Sequence, residues 1–380
     1  MRLGLPALVS LALGLTVAAG VGVAVTAGAG PAPPHAQAAA RATRPPLVVV
    51  ATPHDERARR SEVRLVGPDG AATPIGAVLH APGAVVRGDL LGVLPVVVAD
   101  EEGAADRDFG AALFAVERQG ARRLVAGVGH ARRPLASDGG LVYVERGASG
   151  SASGPGGRID SLELVAVDVA TGVTRVLYTY SGLALHLAGE LGSDLVVYRV
   201  AAAGNADVLL VERASGRSRL VASIVPMARD FTVDRQRGAL LYVNRDAKDA
   251  DLWAVERLDL ASGLVTRLAT ARDDAPAPYA LPSSDPVWTA PGRRGLASAR
   301  GEWLSPLGPG FDAVRATSAD GAWLAVLHVA SFESEGMDDL AILHAPAGPR
   351  GPLGPGGVAR LGGAERVEAL GFVCGGGGAR

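Results

Sequence analysis

Cysteine is almost missing: Cys374 is the only one in 380 residues. One thiol cannot staple its own chain, so the fold must rest on an apolar core rather than on disulfides. Cys374 sits in the tail "GFVCGGGGAR" with no His or Asp motif beside it, so nothing marks an activated thiolate. Lysine is equally scarce, Lys248 being the only one among 37 basic residues, a bias that fits coding preference better than function. A formal net charge of -2 provides no bulk attraction to nucleic acid or to anionic lipid, since counterion-release binding needs a dominant basic patch. Catalytic signatures are lacking as well. There is no G-x-S-x-G elbow for a nucleophilic Ser, no H-E-x-x-H and no phosphate-cradling Gly-rich Lys-Ser/Thr turn. The Ser/Gly-rich stretch "GASGSASGPGG" (147–157) has the composition of a flexible inter-strand loop. Beyond the N-terminus no apolar stripe recurs at helical spacing.

What is present begins with a targeting pattern. Arg2 precedes an apolar run from residue 3 to about 29, and Ala36-Gln37-Ala38 has the small residues of a cleavage site. Residues 1–38 therefore read as a signal peptide, followed by a Pro/Ala-rich linker over 39–46, and the protein is expected to be secreted or periplasmic. The run also has the length to span a bilayer, so an uncleaved anchor carrying an exported domain is the alternative. No Cys stands at its end to take a lipid. The whole chain is 48% apolar and 20% charged, with 51 glycines and 25 prolines, a composition with ample material for a core and below the Gly/Pro level of disordered chains.

A repeat organises the remainder. "DVATGVTRVLYT" (168–179), "ERASGRSRLVAS" (212–223) and "DLASGLVTRLAT" (259–270) each write strand, Gly-bearing turn, strand. Turn glycines recur at Gly70, Gly120, Gly172, Gly216, Gly263 and Gly308, with a looser turn near Gly348, at spacings of 40 to 52 residues. Each Gly supplies the positive φ of a short hairpin, and Asp168 and Asp259 stand where an Asx side chain braces the turn. Upstream of these hairpins lie second-strand runs such as "GGLVYVER" (139–146), "SDLVVYRV" (193–200), "GALLYVNR" (238–245) and "GAWLAVLHV" (321–329), preceded by weaker first strands such as "LALHLAG" (183–189) and "RDFTVD" (229–234). Four strands per unit of about 45 residues predicts an all-β, single β-propeller over 47–373, of seven four-stranded blades with six as the alternative, and a Gly-rich tail over 374–380. "PLVVVATP" (46–53) has no partner before it and "ERVEALGFV" (365–373) none after it. Pairing these two runs would close the ring without leaving two open edges.

The pattern "ADG-x-LxxV … D-LxxxxLxxG-x-x-xRL", seen here in "SDGGLVYV", "SADGAWLAV" and "LWAVERLDLASGLVTRL", resembles the propellers of the TolB-like and prolyl-oligopeptidase-like superfamily. The resemblance spans 47–373. No hydrolase domain follows the propeller, so what it implies is an exported interaction scaffold.

For chemistry, the seven histidines are scattered, which argues against a histidine metal site. His186, in a first strand, is a candidate for the channel, together with Asp230 and Asp285. His328, in an apolar second strand, is expected to pack or to meet a backbone acceptor. Acids gather in loops joining second and third strands: Asp100, Glu101, Asp106 and Asp108; Asp246, Asp249 and Asp251; Glu335, Asp338 and Asp339; with single acids at Asp160 and Asp207. Arg122, Arg123, Arg175, Arg217, Arg219 and Arg267 follow the turns of the other face. The expectation is a disc with an acidic face that meets a basic partner or loosely holds calcium, although no EF-hand order is present and no cofactor is called for. The predicted function is an exported, monomeric binding or scaffold module for a protein or small ligand in the cell envelope. The alternative is a propeller enzyme of lyase, lactonase or glycosidase type with its site at the channel mouth.

Overall fold

Short runs of alternating apolar and polar residues, punctuated by Gly-bearing turns, make antiparallel strands throughout, with no helix among the described residues. The computed structural model describes residues 47–52, 59–67, 70–82, 84–101, 109–129, 132–148, 161–201, 204–225, 228–246, 248–272, 276–282, 285–290, 292, 295–331, 338–345, 353 and 366–373. All of these lie in one unit spanning 44–380. The predicted signal segment and linker, Gly348 and the tail with Cys374 lie outside the described residues.

The strands form consecutive meanders. The first contains β1 (Leu47–Thr52), β2 (Arg60–Val66) and β3 (Ala72–Leu79). The second is β4 (Arg87–Leu91), β5 (Leu94–Asp100), β6 (Ala111–Glu117) and β7 (Gly120–Val128). The third is β8 (Leu135–Ser137), β9 (Leu141–Gly147), β10 (Leu162–Asp168) and β11 (Thr174–Tyr180), touching the second through one pair, Val128 with Arg146. The fourth is β12 (Ala184–Leu191), β13 (Asp194–Val200), β14 (Ala206–Glu212) and β15 (Ser218–Ile224). The fifth is β16 (Arg229–Asp234), β17 (Ala239–Arg245), β18 (Leu252–Asp259) and β19 (Val265–Arg272). The sixth is β20 (Val287–Thr289), β21 (Gly295–Ser298) and β22 (Gly301–Leu304), its first strand reduced to an isolated bridge between Tyr279 and Val287. The seventh is β23 (Phe311–Thr317), β24 (Trp323–Val329) and β25 (Asp338–His344). The chain then returns to the first group, where β26 (Arg366–Phe372) pairs with β1, Leu47 opposite Phe372.

Apolar clusters lie between each group and the next, the seventh packing onto the first. Val96, Leu113, Val144 and Val165 join the second and third groups. Leu164, Leu185 and Val197 join the third to the fourth, and Tyr198, Leu210, Leu240 and Tyr242 the fourth to the fifth. Val243, Val255 and Trp288 continue into the sixth, and Leu296, Trp303, Leu324 and Val326 into the seventh. Ala325, Ile342, Val66 and Ala369 bring the seventh against the first, and Val63, Leu370, Val97 and Val116 the first against the second. Sheets stacked face to face around a ring, shut by strand pairing between its two ends, define a β-propeller. Each fully buried Val or Leu at these seams contributes about 1.5–3 kcal/mol.

The repeated turn now has a physical explanation. Asp168 accepts from Thr171 N at 2.8 Å, and Asp259 accepts from Ser262 N at 2.7 Å, so both brace their turns. Gly172, Gly216 and Gly263 have φ of 72°, 74° and 75° and nest against carbonyls of the preceding outer strand, those of Leu124, Leu177 and Val221. Gly308 departs from the expected series: it lies between β22 and β23, because the outer hairpin of the sixth group turns at 299–300. That hairpin is short, and so the spacing of glycines misassigned it.

Candidate functional site at the ring axis

The first strands of the groups stand side by side around the axis, β26 lying between β23 and β4. Charged side chains on them meet. Glu368 of β26, only 5% exposed, is held by two guanidinium groups: Arg87 Nη1 of β4 at 2.5 Å from Oε2, and Arg133 Nη2 at 3.1 Å from Oε1. Arg133, on the approach to β8, also donates to the carbonyls of Ala369 and Gly88 at 3.1 and 3.3 Å, so it ties the first three groups together. Protein surrounds Arg133, and burial works against its charge, but Glu368, Tyr279 and Asp89 outweigh this and raise its pKa. Even so, 47% of its side-chain surface stays open to solvent.

Asp89 of β4 accepts from Leu90 N at 2.8 Å and Ala136 N at 2.9 Å. Burial nonetheless raises its pKa, against those hydrogen bonds and the pull of Arg133 and Arg235. Burial likewise raises the Tyr279 phenol, which feels Arg133, Asp89 and Arg235. Arg235, in the turn after β16, pairs with Glu190 of β12 at 3.0 Å, and Glu190 also receives Arg213 and the Ser137 hydroxyl. Arg315 of β23 completes the set. Its pKa is lowered by burial, with Arg87 and Arg133 adding to the effect while Glu368 and Asp230 oppose it. Groups from all seven meanders join in this network, which the axis of a ring allows.

The sequence-predicted residues fall in several places. Asp230, on β16, is electrostatically coupled to Arg315 and pairs with Arg229 at 3.4 Å. It is the one described non-glycine residue with positive φ, 55°, at a register shift in its strand, a strained backbone of the kind that gathers at ligand sites. Asp285 is engaged by Arg237 at 2.9 Å and Arg300 at 2.5 Å, so it joins the fifth and sixth groups. His186 stacks near Tyr198 with ring centroids 5.8 Å apart and contacts Arg132 through Nδ1. Burial, with Arg132 adding, lowers its pKa to about 4. His328 meets a side-chain acceptor rather than a backbone one, its Nδ1 lying 2.8 Å from the fully buried Asp312 carboxylate.

Among the acidic loop residues, Glu101 pairs with Arg123 at 2.9 Å, Asp246 with Arg267 at 3.1 Å and Asp249 with Arg272 at 3.0 Å. Arg123 and Arg267 thus reach acids that the sequence reading placed on the other face. Asp100 ends β5 and is 3% exposed, Asp251 is exposed beside Asp249, and Asp339 lies in β25. Asp207 is a buried residue of β14 bound by Arg199 and Ser223. Asp106, Asp108, Asp160, Glu335 and the Asp338 side chain lie outside the described residues. Among the described residues no group of three or more His, Cys, Asp or Glu stands close enough to hold a metal ion.

Sequence reasoning missed Arg87, Asp89, Arg133, Arg315 and Glu368. The signal was available: charged residues inside otherwise apolar first strands, as in "VVRGDLL", "AVRAT" and "RVEALG". Such strands are the ones that face the axis, where a charge can keep its water.

No known family profile matches the chain, and no curated protein matches it. Among solved structures, TolB from Acinetobacter baumannii is similar with a TM-score of 0.48 and 11% identity, covering 86% of this chain and 67% of that one. The β-propeller domain of the Trilobed protease from Pyrococcus furiosus matches at 0.47 and 9%, over 69% of this chain and 83% of that one. Oligogalacturonate lyase from Vibrio parahaemolyticus matches at 0.47 and 10%, over 80% and 92%. Likenesses this distant say nothing of activity.

Proposed function

We propose that this chain is an exported β-propeller, read as seven blades, that acts as a binding module and receives a small ligand at its axis. The observation that carries the reading is the charged axial cluster around Glu368, in which Arg133 is enclosed by protein yet open to solvent. A ring used only as a structural spacer has no need to keep charges at its centre, where burial makes them costly. Export rests on the N-terminal pattern, with Arg2 before an apolar run and the Ala36-Gln37-Ala38 site. Binding fits better than catalysis. Both oxygens of Glu368 are taken by guanidinium groups, and the described histidine–carboxylate pair, His328 with Asp312, is buried away from solvent.

The test is a thermal-shift measurement on the full chain in the small-molecule filtrate of the host's culture, against matched buffer. A ligand that binds the native state raises the melting temperature. The expected result is a rise for the wild type and none for Arg315→Trp, which fills the axis. Equal behaviour of the two proteins would remove the axial reading.

A further inference from the structure

The ligand's chemical class can be argued from the bonding around Arg315, an inference that rests on the axial reading above. Arg87 and Arg133 form ion pairs with the carboxylate of Glu368 on β26, and Arg315 stands on the neighbouring strand β23. Arg87 and Arg133 occupy both of its oxygens. Among the described residues Arg315 makes no hydrogen bond or ion pair within 4 Å, although its strand is flanked by buried Val314 and Ala316 and it is itself half-buried. The opposite charge that it senses from across the ring, Asp230, is already paired with Arg229 at 3.4 Å. A planar fork of five N–H donors is thus held at the axis, repelled by two like charges, with no acceptor of its own among the described residues. Guanidinium forks bind carboxylate and phosphate oxygens in bidentate fashion, and the repulsion that two neighbouring cations impose is relieved when an anion enters.

We infer that Arg315, with the outer edges of Arg87 and Arg133, binds a small oxyanion, a carboxylate or phosphate group carried by the ligand. Glu368 is the internal anion that holds Arg87 and Arg133 in place, and the incoming group supplies the second.

The probes are sodium phosphate and sodium succinate, each added to the full chain and compared with sodium chloride at equal ionic strength, read by thermal shift and calorimetry. The wild type is expected to bind at least one of the two probes with a rise in melting temperature beyond the chloride control. Which probe it prefers identifies phosphate or carboxylate as the source. Arg315→Gln is expected to weaken that binding at least tenfold while melting, without anion, no lower than the wild type, because it removes a repelled charge. Arg315→Lys keeps the charge but not the fork and should weaken binding several-fold, which guards against a Gln variant that fails to fold. No anion-specific shift in the wild type, or affinity unchanged in these variants, overturns the inference. A shift by culture filtrate without any response to phosphate or succinate would leave an axial binding module with an uncharged ligand, so the two readings fail separately.

Discussion

Gly172 and Gly263 hold the same place in two turns and have nearly the same φ, 72° and 75°, yet their surroundings differ. A Cβ on Gly172 would meet only the Leu124 carbonyl at 4.0 Å, whereas on Gly263 it would lie 2.7 Å from the Val221 carbonyl. Gly172→Ala should therefore cost only left-handed strain, about 1–2 kcal/mol, and Gly263→Ala should cost distinctly more because a neighbouring backbone must move. Urea unfolding of the two variants checks the order. At His186 the effect is on pH. Its folded pKa of about 4 lies below the ordinary value of 6.5, so the unfolded chain takes up the proton first. The stability it contributes is full above about pH 6.5 and is lost as pH falls toward 4. His186→Phe, which keeps a ring beside Tyr198, should flatten the fall in stability between pH 6.5 and 4. An unchanged slope in urea melts across that range would place the titration elsewhere.

The outer hairpins show how an element-level rule hides inside a motif. In the second, third, fourth and fifth groups the pairing of third and fourth strands shifts register at the same place, between Leu113 and Phe114, Leu164 and Val165, Val208 and Leu209, and Val255 and Glu256. Because of that bulge, Arg122, Arg175 and Arg219 are equivalent, lying opposite Ala115, Ala166 and Leu210, and Thr266 opposite Arg257 takes the fourth place. Each of the three donates to a turn carbonyl of the next group: Val169 at 2.9 Å, Arg213 at 2.8 Å and Leu260 at 3.4 Å. The next group in line after Thr266 has only the short 299–300 turn. The run of Gly, Arg and β-branched residues was enough to read hairpins and their order, since period and turn chemistry are local. Which Arg clasps a neighbour and which, like Arg123, meets a loop acid depends on a one-residue bulge that leaves no mark in composition. Replacing Arg122, Arg175 and Arg219 together by Gln should lower stability by about 1–3 kcal/mol in total, given about 0.5–1.5 kcal/mol per hydrogen bond and partial exposure. Arg217→Gln, whose side chain meets only Glu212 and Ser215 of its own turn from a largely exposed position, should be near neutral in the same denaturation assay.

At the scale of the whole molecule the ring is a closed series of apolar seams, and its closure was readable because two apolar runs lacked partners at opposite ends of the pattern. The meeting of the axial charges was not, since Arg87, Arg133, Arg315 and Glu368, although most stand out singly in apolar strands, come from separate groups with no spacing to link them. Deleting 366–373 should strip β1 of its partner and expose Val66, Leu340 and Ile342, now packed with Ala369, giving aggregation or a loss of cooperative unfolding. A soluble truncation with a wild-type melt would deny that β26 is needed. The same pairing has a temporal side. β26 is translated more than three hundred residues after β1, so a nascent chain emerging N-terminus first carries an orphan edge until its final strand arrives, and the contact that finishes folding is also the one farthest apart along the sequence. Anything that stalls synthesis late strands the protein in its stickiest form, which makes this a chain whose yield should depend on holdase chaperones more than on the strength of any single contact.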